Sequence, residues 1–258
     1  MKNASNLSLR LSLIVYIFST LILSAQNFQG KITYERIYND TKERKQLEDP
    51  DLDITERKKI EDGIDISKKF LERTFILEFN NLESIYKPIE ELNLKPSDVD
   101  QFPFTDYYKN FKENYYMWKF DGFGAQLVVK DTMKVYNWKL IDETKKIGKY
   151  TCYKASFVQS VERNEQVKNE DGSFENVLEL KDLNFIAWYT MEIPISNGPD
   201  RYGGLPGLIL EVDEAGYQTI VATEIVLNPE KLAKIEPLRG KIVSPKGFEE
   251  KMGFPFEN

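Results

Sequence analysis

Histidine is absent from the 258 residues of the sequence, and cysteine occurs once. Without histidine, the chain cannot assemble a Ser-His-Asp or Cys-His catalytic arrangement, and it lacks the commonest zinc and copper ligand. A catalytic site would have to use carboxylates, lysine, tyrosine or the single cysteine. No recognisable catalytic motif combines them, and the sequence predicts no cofactor and no metal site.

The single cysteine, Cys152, excludes an internal disulfide bond. It lies in the strand-like stretch Tyr150–Ala155, where we interpret it as a small buried hydrophobic residue. A lipid anchor would need a cysteine at an export cleavage point, and Cys152 is far from the N-terminus. We therefore expect that the protein is not a lipoprotein.

Long apolar runs are also scarce, and the clearest one lies at the N-terminus. Lys2 and Arg10 precede the uncharged run Leu11–Leu23, and small and polar residues follow it. This order is typical of a signal peptide, and the run is shorter than the roughly 20 residues of a membrane-spanning helix. We predict a signal peptide over residues 1–26 and a mature chain over 27–258, with an uncleaved N-terminal anchor as the alternative.

Basic residues are outnumbered in the predicted mature chain, which holds 33 basic and 42 acidic residues for a net charge of −9. Nucleic-acid binding is disfavoured, because phosphate recognition needs a basic surface. The length and the abundance of tyrosine and phenylalanine favour a single β domain. We expect residence in the periplasm or cell envelope, with secretion also open, no membrane span after cleavage, and an oligomeric state that the sequence does not determine.

Hydrophobic alternation with a period of two residues predicts most of the mature chain as strands. The clearest example is the stretch 74–80, where every second residue is apolar. The predicted strands are Phe28–Tyr38, 74–80, Ser84–Lys87, Tyr115–Phe120, Gln126–Lys130, Met133–Leu140, Tyr150–Val161, Asn184–Glu192, Leu208–Asp213 and Gln218–Leu227. We expect a mainly β fold.

Other segments lack this alternation. Residues 40–72 are dense in charge with loosely helical apolar spacing, which predicts a charged helical excursion from the sheet. Residues 88–114 contain prolines and aromatic residues, which favours a long loop packed on the body. Residues 163–181 are predicted as an exposed hairpin tip, and residues 237–258 as a tail with a helical turn near Phe248.

The most distinctive stretch is Gly204-Leu205-Pro206-Gly207-Leu208-Ile209. It resembles the signature of the GLPGLI family of secreted Bacteroidetes proteins, which has no assigned biochemical activity. Further matches in order include Trp138, Lys149–Ala155, Ala187–Tyr189, Glu192–Pro194, Gly198-Pro199 and Gly240–Ile242. The resemblance implies an exported protein, with 40–72 and 163–181 as insertions. By fold analogy, the meander is similar to the strongly twisted half-barrel of periplasmic lipoprotein carriers, a single antiparallel sheet.

The glycines of this stretch leave two interpretations open. Gly203, Gly204 and Gly207 allow positive φ or a close approach of another backbone segment, and Pro206 fixes its own φ. The loop either turns a corner of the sheet and sends Leu208 into the core, or it forms a ligand groove or partner edge.

The strand before the loop suggests where a partner would bind. Phe185, Ala187 and Tyr189 share one apolar face, so Trp188 lies on the other face and must be covered by the aromatic loop, by the helical segment or by a ligand. The predicted binding residues are Trp188, Glu192, Arg201, Tyr202, Gly204, Leu205, Pro206 and Gly207.

Our functional hypothesis is a non-catalytic binding or accessory module for a hydrophobic or peptide-like envelope partner, such as an acyl chain, a peptide or an envelope protein. One alternative is a carboxylate-based hydrolase of an envelope glycan or peptide. Glu211 and Asp213 are two residues apart in a predicted strand, which places their side chains roughly 6 to 7 Å apart on one face. The other alternative is a structural companion of an outer-membrane complex.

Overall fold

The computed structural model describes residues 28–89, 106–122, 124–168, 173–231 and 234–253. Within these residues twelve strands form one open, twisted sheet in the order β12-β6-β5-β4-β3-β2-β1-β11-β10-β9-β8-β7. The strands are β1 (Gly30–Tyr38), β2 (Arg73–Phe79), β3 (Glu83–Pro88), β4 (Tyr107–Asn110), β5 (Tyr115–Gly122), β6 (Ala125–Thr132), β7 (Lys139–Ile147), β8 (Tyr150–Lys168), β9 (Phe174–Thr190), β10 (Leu208–Glu214), β11 (Gln218–Leu227) and β12 (Lys241–Val243). Neighbouring strands are antiparallel except β12, which is parallel to β6. The predicted mainly β fold built on one twisted sheet is confirmed.

The charged segment after β1 is helical, as predicted. It forms α1 (Thr41–Leu47) and α2 (Ile54–Leu71). The Asp53 carboxylate accepts a hydrogen bond from the Thr55 amide at 2.9 Å and so caps the start of α2. Only Ile64 of α2 is buried, because the remaining positions are mostly charged and face solvent.

The prediction of a strand over Met133–Leu140 is wrong. The structure has irregular backbone before Lys139, and the strand of this region is β7, which begins there. The apolar alternation that misled the prediction comes from Tyr136 and Trp138, whose rings pack on the core from a loop. β7 itself was missed because it is an edge strand with mostly exposed polar residues.

Two further segments differ from their predictions. Part of the predicted 88–114 loop is β4, a four-residue strand that pairs with β3 and β5, while residues 90–105 lie outside the described residues. The predicted C-terminal tail contains β12 and α3 (Pro245–Met252). The helical turn expected near Phe248 is therefore a two-turn helix.

The predicted hairpin tip at 163–181 is mostly regular strand. β8 and β9 stay paired as far as Lys168 and Phe174. This distal part, which we call the hairpin arm (residues 158–168 and 173–184), exposes apolar side chains such as Leu178 and Leu180.

Within the described part of the chain, three hydrophobic clusters hold the sheet together. The largest lies on the strands β1–β3 and β8–β11, with Ile32, Phe79, Leu208 and Val212 among its buried members. Two smaller clusters cover opposite faces of β5 and β6, one of them through Phe248 of α3. No helix among the described residues is long and apolar enough to cross a membrane, and the predicted signal peptide, residues 1–26, lies outside them.

Candidate functional site

The connection between β9 and β10, residues 191–207, folds over the largest hydrophobic cluster. We call it the β9–β10 loop. Its backbone is paired without forming regular strands: Ile209 donates to the Asn197 carbonyl at 2.9 Å, and Leu208 donates to the Ile193 carbonyl at 3.0 Å. Asn197 also forms an isolated β-bridge with Gly203. The loop is therefore a fixed part of the fold.

A buried lysine from β4 holds this loop in place. The Lys109 ammonium donates to three loop oxygens: Asn197 Oδ1 at 3.1 Å, the Gly198 carbonyl at 3.1 Å and the Tyr202 carbonyl at 2.7 Å. Burial lowers the pKa of Lys109 to about 7, and the charge of Asp200 opposes that change. Three acceptors match the three N–H donors of an ammonium group, so the side chain works as a tie between β4 and the loop.

Two glycines of the loop are required for different reasons. Gly204 has φ of +84°, a conformation that side-chain-bearing residues rarely adopt. Gly207 lies so close to the strand before the loop that a Cβ there would be 2.1 Å from the Thr190 carbonyl oxygen. Positive φ and close backbone approach, the two roles expected for the glycines of this stretch, therefore fall on Gly204 and Gly207 respectively.

Trp138 fixes the loop from the other side. Its indole Nε1 donates to the Gly203 carbonyl at 2.9 Å, and its ring packs edge-on against Phe157 with centroids 4.8 Å apart. The irregular segment before β7 therefore contacts the loop directly.

A groove with a volume of about 540 Å³ lies between the loop, the segment 133–136 and residues in and beside β4 and β5. Its apolar walls come from Phe111, Tyr116, Met133, Val135, Tyr136, Pro194 and Ile195. The charged side chains among its described lining residues are Lys109, Lys134 and Arg201, and no carboxylate lines it within that part of the chain.

An ionic cluster adjoins the groove-lining residues Arg201 and Tyr202. Asp200, with φ of +50°, places a carboxylate oxygen 3.4 Å from the guanidinium of Arg36 on β1. Two residues after Asp200, the Tyr202 hydroxyl donates a hydrogen bond to Glu214 Oε1 at 2.6 Å. Burial raises the pKa of Tyr202, and the Glu214 charge raises it further, so the hydroxyl keeps its proton at neutral pH.

The predicted binding residues do not form one site. Arg201, Tyr202 and Gly204 line the groove. Leu205 is 2 % exposed and belongs to the largest cluster, Gly207 is buried, and Pro206 is exposed. Leu205 therefore packs the core and offers no surface to a ligand.

Trp188 and Glu192 lie outside the groove lining. Trp188 is half-buried under two lysines, with Lys145 Nζ 4.5 Å and Lys154 Nζ 5.6 Å from its ring centroid. The predicted cover was an aromatic loop, a helix or a ligand, whereas the observed cover includes cation–π partners on β7 and β8. Glu192 accepts a hydrogen bond from the Thr151 amide at 2.8 Å.

The carboxylate pair considered for hydrolysis also lies outside the groove lining. Glu211 binds Lys145 at 2.6 Å, and Asp213 accepts from the Gly216 amide at 2.6 Å in the β10–β11 turn. Both carboxylates thus have partners that stabilise the sheet.

Sequence reasoning missed Lys109, Lys134 and Tyr136. Lys109 lay in a segment predicted as a loop, and the other two lay in a segment predicted as a strand. A buried lysine has no local sequence signal, because its acceptors come from residues about 90 positions later. Tyr136 and Trp138 are two residues apart in the sequence, and this alternation predicts a regular strand where the structure has a loop.

The remaining polar candidates have structural surroundings. Cys152 is buried, and burial raises the pKa of its thiol to about 11, in keeping with the predicted hydrophobic role. Among the described residues, no group of three or more Cys, Asp or Glu side chains is arranged to hold a metal ion.

Comparison with known proteins gives a family match for part of the chain. Residues 138–211 match the model of a family described as a protein of unknown function, Porph_ging. The matched segment runs from Trp138 through β7, β8 and β9 to the start of β10, so it contains the whole β9–β10 loop. No curated protein matches the sequence.

Two solved structures of PNGF-II, in different space groups, are similar to this chain at a low level. Each has a TM-score of 0.49, with 19 % and 18 % sequence identity over 84 % and 87 % of this chain. The matches cover 31 % and 32 % of the PNGF-II chains, so this chain spans about a third of their length.

Proposed function

We propose that this protein is an exported, non-catalytic binding module of the cell envelope that holds a hydrophobic or peptide-like ligand in the groove beneath the β9–β10 loop. The observation that carries the proposal is the groove itself. Its volume of about 540 Å³ lies within the range of roughly 300 to 1,000 Å³ that is usual for small-ligand sites.

The walls suit an apolar ligand. Phe111, Tyr136 and Ile195 provide aromatic and aliphatic surface, and Val135 at the groove is 87 % exposed. A ligand that covers this valine removes apolar surface from water, which stabilises the complex. We therefore expect the ligand to extend over Val135.

The rigidity of the loop supports binding without large rearrangement. Lys109 and Trp138 fix the loop backbone through hydrogen bonds from both sides. A preformed wall loses little conformational entropy when a ligand arrives, which favours affinity. The hydrolase alternative gains no comparable support, because Glu211 and Asp213 lie outside the groove lining.

The binding test uses N-phenyl-1-naphthylamine, a neutral apolar dye whose fluorescence rises on burial. We expect saturable binding to the wild-type protein and weaker binding to Val135→Asp, which places a charge at the groove. Val158→Asp is the matched control, because Val158 is also exposed but lies on the hairpin arm. Equal binding by both variants and the wild type would place the dye elsewhere and contradict the proposal.

Export is tested separately by N-terminal sequencing of the protein recovered from the cell envelope. We expect a start near Asn27. A chain that begins at Met1 in that fraction would contradict cleavage.

A further inference from the structure

The groove presents positive charge without a carboxylate among its described lining residues. The Lys109 ammonium donates to three loop oxygens, and Lys134 and Arg201 bring two further cationic side chains to the groove lining. An apolar pocket that carries net positive charge favours a ligand with both an apolar body and an anionic group.

Lys134 and Arg201 are close enough to affect each other. Burial lowers the pKa of Lys134, and the charge of Arg201 lowers it further. The Lys134 ammonium lies 5.4 Å from the centroid of the Tyr136 ring, a weak attraction that does not remove its charge. An anion between the two cations would relieve their repulsion.

Two aspartates act on groove residues without lining the groove. Asp200 raises the pKa of Arg201 against the opposing effect of burial, yet the same carboxylate lies 3.4 Å from the Arg36 guanidinium. Asp131 acts on Tyr116, whose pKa is raised first by burial and then by that carboxylate. Asp131 and Asp200 are not among the described residues that line the groove, whose charged lining side chains are all cationic.

Tyr136 adds an independent observation. Its side chain lines the groove and is 8 % exposed, and its hydroxyl has no hydrogen-bond partner among the described residues. Burial raises the pKa of Tyr136, so the hydroxyl remains a donor at neutral pH. A buried hydroxyl without a partner is destabilising unless a bound group satisfies it.

Resting on the proposed function, we infer that the ligand carries a carboxylate, which Lys134 and Arg201 bind by charge while the Tyr136 hydroxyl donates a hydrogen bond to it. The apolar remainder lies along Val135 and Ile195. The carboxylate could belong to an acyl chain or to the C-terminus of an apolar peptide, since both present the same group.

The test measures calorimetric affinities for two pairs of probes. One pair is dodecanoate and 1-dodecanol, and the other is N-acetyl-Leu-Leu-Phe and its C-terminal amide. A charge-assisted contact is lost in each neutral member, so we expect about tenfold weaker binding of that member. The pair that binds more tightly identifies the acyl or the peptide source.

Variants of Lys134 assign the preference to this site. Lys134→Met should reduce the carboxylate preference to about threefold or less, and Lys134→Arg should retain it. Tyr136→Phe keeps the ring and should reduce the preference by a smaller factor, about threefold. Lys112→Met is the matched control, because Lys112 is exposed and does not line the groove.

The outcomes separate the two proposals. Equal affinity for the acid and neutral members, or an unchanged preference in Lys134→Met, overturns the carboxylate inference while leaving the proposed apolar site intact. Absence of binding by the dye and by all four probes overturns both. The preference should also decline as pH rises through the lowered pKa of Lys134, because the ammonium is lost while the carboxylate remains charged.

Discussion

The β9–β10 loop and the hairpin arm are opposites in regularity and burial. The loop has irregular backbone, yet Leu205 within it is 2 % exposed. The arm is regular antiparallel strand, yet Leu180 on it is 68 % exposed. Regular strand pairing in the arm satisfies the backbone hydrogen-bonding groups without burying side chains. The loop instead combines buried side chains with hydrogen bonds from Lys109 and Trp138. Stability should therefore be concentrated in the irregular region.

The largest effect is expected at Gly207. A Cβ at this position would lie 2.1 Å from the Thr190 carbonyl oxygen, and backbone cannot move aside as a flexible side chain can. Gly207→Ala should lower the free energy of unfolding by about 3 kcal/mol or more, measured by urea denaturation. Gly203→Ala is the control within the same loop, because its Cβ would make an ordinary contact at 3.5 Å. Equal stability of the two variants would contradict the close approach.

Leu205→Ala should have the next largest effect. From the sequence alone this leucine was a candidate binding residue, but its side chain lies in the largest hydrophobic cluster. Truncation of a buried leucine lowers the free energy of unfolding by about 2 to 5 kcal/mol. Normal stability with loss of dye binding would instead restore Leu205 as a binding residue.

Lys109→Met tests the tie between β4 and the loop. Removing the ammonium leaves three loop oxygens without this donor, so we expect a loss of about 2 kcal/mol in the free energy of unfolding at pH 7. Burial lowers the pKa of Lys109 to about 7, whereas an unfolded lysine titrates near pH 10.4, so between about pH 7 and 10 the unfolded chain binds more protons.

The sign of the pH effect follows from that difference. Because the unfolded chain holds the extra proton, the contribution of Lys109 to the free energy of unfolding rises with pH across this window. Urea denaturation at pH 7 and pH 9 should show a rise that is steeper in the wild type than in Lys109→Met. Identical slopes would show that the lysine titrates normally in the folded protein.

The sequence was most informative where one face of a strand is buried. The alternation around Phe75, Leu77 and Phe79 predicted β2 within one residue at each end, and Gln218–Leu227 was predicted with the bounds of β11. Edge strands lack this signal, because neither face of β7 is substantially buried. The charged composition of α2 was sufficient to predict a helix that contributes one buried residue.

The site could be predicted only in part. Glycines and proline identified the β9–β10 loop as shaped backbone, and Arg201, Tyr202 and Gly204 do line the groove. The other wall of the groove comes from residues 133–136, and Lys109 ties β4 to the loop. Both lie more than 50 positions before the β9–β10 loop in the chain. Their approach depends on the order of strands in the sheet, which local periodicity does not encode.

The smallest effect is expected on the hairpin arm, at Leu180. This leucine faces Glu162 across the β8–β9 pair and is mostly exposed, so Leu180→Ser removes little apolar contact. We expect the free energy of unfolding to change by no more than about 0.5 kcal/mol, as is usual for exposed positions without special contacts. Leu205→Ser, a polar substitution of the same residue type in the loop, is the matched comparison. If both substitutions destabilise the protein equally, the arm is covered in solution, and its apolar residues belong to an interface that the isolated chain does not display.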